Sequence, residues 1–224
     1  MMSAAHQAAK ARDVSPIVDA TNSAIREALA RSVIWRRMTD GTLPFAGRAA
    51  FLEQHWEGLR VLRAGLEALG GSGDTVTAAL ARNAELLGSA LDSAHATARW
   101  RDHHVTMPAM LQFRRRVNEM AAGKDAIGLH AHAVVRLAAV AACPVPHEMA
   151  QIDPRRDITC VFSTEDEEHF AEEISNATLL VLAQGADVCR AYQGVNRASS
   201  CAITAAAIRR ALSQSGEGQP GEAQ

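Results

Sequence analysis

Aromatic side chains are scarce in this sequence: 4% of the residues, with one Tyr, three Trp and five Phe. Beside Ala and Leu that recur throughout, this argues against a fold of many short strands, which favour aromatic and β-branched residues, and for helices. Cysteine is sparse too. Cys143, Cys160, Cys189 and Cys201 sit far apart with no C-x-x-C pair, a pattern of reduced thiols and not of a disulfide framework or a zinc site. Neither sign of charge dominates, because 23 basic and 25 acidic residues leave a formal charge of −2. That removes any global electrostatic reason to bind nucleic acid. No stretch approaches the ~18 uninterrupted apolar residues of a membrane span, and Met1-Met2-Ser3-Ala4-Ala5-His6 lacks the basic patch and apolar run of a leader. The expectation is a cytoplasmic protein with no nucleic-acid or membrane partner. Also missing are a glycine-rich phosphate loop, a nucleophile elbow and the His/carboxylate spacing of a di-metal site.

What is present is apolar material at helical spacing. With 224 residues, 48% of them hydrophobic and 21% charged, the chain can bury one sizeable core, and no internal repeat divides it. Ser15-Pro16 opens a first helix through Val18, Ile25, Leu29 and Val33 as far as Asp40-Gly41. Thr42, as N-cap with Pro44 in the first turn, starts a second through His55, Leu59, Leu62 and Leu66, ending at Gly70-Gly71, and the short break predicts an antiparallel hairpin of the two. A third helix runs from Asp74 or Thr75 through Leu91, a fourth from Pro108 to Gly123, and a fifth from about Asp125 until Cys143-Pro144 ends it. Residues 144–162 read as an ordered connection. Ser163 and Asp166 resemble a capping box that opens a long sixth helix to Tyr192, and a short helix is expected over 199–213. The predicted organisation is all-α: a flexible N-terminus over 1–14, one helical domain over 15–213 and a disordered tail over 214–224.

The stretch Leu129-His130-Ala131-His132-Ala133-Val134-Val135-Arg136-Leu137 resembles the distal-helix segment of the biliverdin-producing heme oxygenases, with His132 and Arg136 on the matching positions. Met38-Thr39-Asp40-Gly41-Thr42-Leu43 before Phe51-Leu52-Glu53-Gln54-His55-Trp56, and Met107-Pro108-Ala109 before an Arg-rich helix, support it in order and spacing, over roughly residues 15–195. The resemblance implies a heme-oxygenase-like helical domain that holds heme between its first helix and a kinked distal helix. It also implies cleavage of heme to biliverdin, carbon monoxide and iron with a redox partner. The family's iron-ligating His falls here on Arg26, or on Ile25 if the register is set from Thr21. Neither side chain has a lone pair to give iron. The family's distal glycines fall on Ala139, Cys143 and Pro144, and its proton-ordering Asp falls on Val140, which cannot relay a proton.

By the resemblance, the cofactor-binding residues are therefore Arg26, Arg136, Ala139, Val140 and Cys143. Candidate substitute iron ligands are Cys143, whose thiolate is a known type of heme ligand, and the helical histidines His55 and His132, with His130 beside them. A lone helical histidine is more often a hydrogen-bonded core or surface residue, and a lone Cys more often a small buried thiol. His103-His104 reads as an exposed loop pair. Arg114-Arg115-Arg116 and Arg136 could pair with heme propionates, although a charge run is usually a solvated face. These residues rank binding of heme or a linear tetrapyrrole without efficient turnover ahead of oxidative cleavage. The alternative is a non-catalytic helical interaction module with no cofactor.

Overall fold

Ser32 divides what the periodicity predicts as one first helix into two. Its hydroxyl donates to the Leu29 carbonyl at 2.6 Å and accepts the Trp35 N–H at 3.3 Å, so a side chain takes over the backbone's bonding and a new helix is capped. The computed structural model describes residues 12–13, 15–71, 75–143, 161–162 and 166–193. In chain order the described elements are β1 (Arg12–Asp13), α1 (Ser15–Arg31), α2 (Val33–Thr39), α3 (Phe45–Ala68), α4 (Thr75–His95) and α5 (Trp100–His103). They continue with α6 (Pro108–Gly123), α7 (Ala126–Ala142), β2 (Val161–Phe162) and α8 (Asp166–Ala191). The all-α expectation holds, with one addition: β1 pairs antiparallel with β2, Arg12 opposite Phe162 and Asp13 opposite Val161. The disordered tail, the 199–213 helix, the 144–160 connection and the Ser163 cap lie outside the described residues, as does most of the N-terminus.

Two further sequence expectations are corrected. Thr42 does not cap α3; Asp40 Oδ1 accepts both its N–H (3.0 Å) and its hydroxyl (2.7 Å), and the cap falls to Pro44. An Asx turn two residues upstream has won that side chain. Nor does the first helix fold back along the second, because the break at Ser32 lets α1 lie on α7 while α2 packs on α8.

The centre of the bundle is α3 and α7. From Ala131 to Val140 every residue of α7 is buried, because α1, α3, α4, α6 and α8 surround it. Burial all round is what a continuous apolar run such as Ala133-Val134-Val135 permits. Asp125 caps α7 by accepting the Gly128 N–H at 2.8 Å and ties in α8 through His169 Nε2 at 2.9 Å. Asp187 of α8 accepts the Ala109 N–H at the start of α6 (2.8 Å). The connection before α6 is clasped by α3: the Gln54 amide donates to the Val105 carbonyl and accepts the Met107 N–H, both at 2.8 Å, while Glu53 meets His95 and Glu57 meets His104 and Thr106.

Candidate functional site

The resemblance directs attention to the seam between α1 and α7. Ile25 and Leu29 of α1, exposed by only 2% and 1%, pack there in one cluster with Val135, Ala138 and Ala139 of α7 and Ala177 and Val181 of α8. On α1, Ile25 faces α7 and Arg26 lies on the exposed side. Thr21 and Asn22 are also buried on the inner face, and Asn22 Oδ1 has no hydrogen-bond partner among the described residues.

The three positions assigned to the cofactor at the C-terminal end of α7, beyond Arg136, point three ways. Ala139 meets α1, Val140 belongs to the large cluster with Trp56, Leu59 and Leu87, and Cys143 packs among Phe51, Met107 and Val188. Burial pushes the Cys143 thiol up to about 12 against the pull of Arg136, so it stays protonated. Cys143 and Cys189 are free thiols; Cys160 and Cys201 lie outside the described residues.

Arg136 is fully buried. Its Nη1 donates to Gln184 Oε1 at 2.6 Å and to His55 Nδ1 at 3.2 Å, and its guanidinium lies over the Phe113 ring, 4.5 Å from the centroid. Burial lowers its pKa to about 9, which leaves it charged at neutral pH. His55 stands edge-on to Phe51 and is held neutral by burial and by the Arg136 charge. Because its Nδ1 accepts from Arg136, its proton sits on Nε2, and that nitrogen has no lone pair to offer a metal.

His132 Nε2 donates to Glu173 Oε2 at 2.9 Å. Burial lowers the imidazole pKa against the raising pull of Glu173. Burial also opposes ionisation of Glu173, but hydrogen bonds from Arg116 (2.6 Å), His132 and Asn176 outweigh it and hold the carboxyl at about 2. This network pins α6, α7 and α8 together. His130 Nδ1 donates to the Ala126 carbonyl. The expected loop pair divides: His103 ends α5 and is exposed, whereas His104 is half-buried, its ring bonded to the Arg101 carbonyl and to Glu57. Each arginine of the 114–116 triplet has its own carboxylate, Glu57, Glu119 and Glu173 respectively.

Sequence reasoning missed Gln54, Glu173 and Gln184. The signal was available for Gln184, a polar residue between Val181 and Val188 on a stripe that is otherwise apolar. Among the described residues no group of three or more His, Cys, Asp or Glu could hold a metal ion, and no helix is long and apolar enough to cross a membrane. A surface cleft of about 510 Å³, lined by Val33, Arg37, Cys189 and Arg190, opens between α2 and α8, away from the seam.

The residues present do not fit heme as the resemblance would seat it. The position on α1 that faces α7 is an isoleucine, its neighbours fill the seam with aliphatic contacts, and His55, His132 and Cys143 are each engaged or protonated elsewhere. These features define a helical bundle with a closed α1–α7 seam and a buried polar centre at Arg136. The architecture is the heme-oxygenase-like fold: the chain is similar to the solved structure of heme oxygenase from Leptospira interrogans, with a TM-score of 0.54 and 17% identity, over 78% of this chain and 98% of that one. No protein-family model matches the chain, and no curated protein matches it.

Proposed function

We propose that this chain is a non-catalytic protein of the heme-oxygenase fold, acting as a helical interaction module and not cleaving heme. One observation carries the reading: Ile25 and Leu29 share one buried cluster with Val135, Ala138 and Ala139, where the resemblance would insert the macrocycle. Iron ligation and proton delivery fail separately, because Ile25 has no donor atom and Val140 no polar one. A redox partner belongs only to a turnover reading and is not part of this one.

A second reading, uptake of heme or a linear tetrapyrrole without turnover, is favoured by the inner face of α1. Among the described residues Asn22 Oδ1 is an acceptor without a donor, and the wall opposite is built of Ala138, Ala139 and Ala177. In that reading α1 swings away about the break at Ser32. Titration with heme and with biliverdin, followed by absorption spectroscopy, separates the readings. No spectral change supports the interaction module. A Soret shift without biliverdin formation supports the second reading, and conversion of heme to biliverdin under a reductant on the order of once per second or faster overturns both.

A further inference from the structure

One whole edge of Arg136 is unused. Its Nη1 is committed to Gln184 and His55, but Nε and Nη2 are buried and have no hydrogen-bond partner among the described residues. These two nitrogens sit on the same side of the planar guanidinium and aim their N–H groups in parallel, a two-pronged donor that elsewhere takes a carboxylate. Further donors belong to the residues that Arg136 Nη1 bonds. Among the described residues His55 Nε2, which carries its proton, has no partner, and Gln184, its oxygen given to Arg136, reaches Met110 Sδ with its amide nitrogen, at 4.0 Å.

Among the described residues no carboxylate is bonded to Arg136. Glu57, the carboxylate whose field Arg136 feels, is occupied by Thr106, His104 and Arg114, and the Cys143 thiol is protonated. An isolated ion in a helix-bundle interior is strongly disfavoured unless something compensates it. A water molecule would satisfy the donors and leave the charge. A small anion does both, and the closeness of Gly58 and Phe113 to the guanidinium excludes a bulky one.

We propose that the Nε/Nη2 edge of Arg136 binds a small monovalent anion of the halide class at the junction of α3, α6, α7 and α8. The site is independent of the seam and of whether the chain meets a tetrapyrrole, so it stands or falls separately from the functional reading above. The first test is thermal unfolding in sodium chloride against sodium isethionate at equal ionic strength, whose anion is too large to enter. The midpoint rises by about 3–6 °C when chloride reaches roughly ten times its dissociation constant, and Arg136→Met removes the rise. The second test uses the unmodified chain: crystals soaked in bromide show an anomalous peak at the Nε/Nη2 edge. Equal midpoints in the two salts, an ordered water at that edge, or a bromide peak without any chloride effect (an adventitious ion only) overturns the proposal. If Arg136→Met does not fold, the midpoints and the bromide position of the unmodified chain decide it.

Discussion

A Cβ placed on Gly58 would lie 2.8 Å from Arg136 Nε and 2.9 Å from its Cζ, so α3 approaches the guanidinium through a bare Cα and could do so with no other residue. The relation is steric and one-sided. Gly58→Ala gains helix propensity but forces either the helix or the guanidinium to shift, and overpacking of this kind costs roughly 1–3 kcal/mol. Urea denaturation of Gly58→Ala, Arg136→Met and the double variant checks it. The alanine should be far less harmful when the arginine has gone, and additive effects would show that the two residues do not press on each other.

Acid should destabilise the fold well before its surface carboxylates titrate. His55 and His132 have folded pKa values below the ordinary 6.5, so as pH falls below 6.5 the unfolded chain binds protons that the folded chain does not. Each then removes up to about 1.4 kcal/mol of stability per pH unit until its folded pKa is reached. Glu173, held at about 2 against an ordinary 4.5, extends the loss from about pH 4.5 downwards. Urea midpoints between pH 8 and pH 4 should decline, and His132→Gln should flatten the upper part of the curve. Constant midpoints from pH 7 to pH 5 would contradict the assignment of both imidazoles as neutral.

The placement of α1 makes adjacent positions inequivalent. Ile25→His puts an imidazole into the seam, whereas Arg26→His puts one on the exposed face. If heme enters the seam, as in the second reading, only Ile25→His gives the spectrum of a histidine-ligated iron; in either reading it costs about 2–4 kcal/mol in folding stability from the lost isoleucine. A histidine-type spectrum from Arg26→His alone would show that α1 presents a different face.

Thiol reactivity should divide the cysteines. In a Cys160→Ser, Cys201→Ser background, the half-buried Cys189 is expected to react with a disulfide reagent at least about 100-fold faster than Cys143, which is buried and protonated. Comparable rates would mean that the end of α7 opens readily.

Much of this was legible in the sequence because local chemistry and tertiary packing agree. Pro108 does open α6, α7 does start beside Asp125, and α4 does begin at Thr75. The misreadings have local causes. Ser32 lies on an unbroken apolar rhythm, and only its hydroxyl's bond to Leu29 reveals the break. Thr42 carries the right side chain for a cap but loses it to Asp40. Gly123, by contrast, does end α6 as read, and the left-handed turn falls on Lys124, at φ 59°. The polar centre was harder to read, because Arg136 meets His55 and Gln184 across 81 and 48 residues of sequence, and no spacing rule reaches so far. The residues of the α1–α7 seam, Ile25 and Ala139, were legible in the sequence, but its closure was not, because that depends on how α1 is rotated.

The Gln54 clasp also fixes a length. Its amide occupies the place of one more peptide group, giving a donor to the Val105 carbonyl and an acceptor to the Met107 N–H, so it measures the chain between them as a gauge would. Glutamate at this position cannot do the same in its ionised form, for want of a donor. An extra residue between Val105 and Met107 would separate the two groups that the amide spans. The stretch entering α6 therefore looks like loop from outside but carries the fixed spacing of a ladder rung, and it is where this fold should least tolerate an insertion.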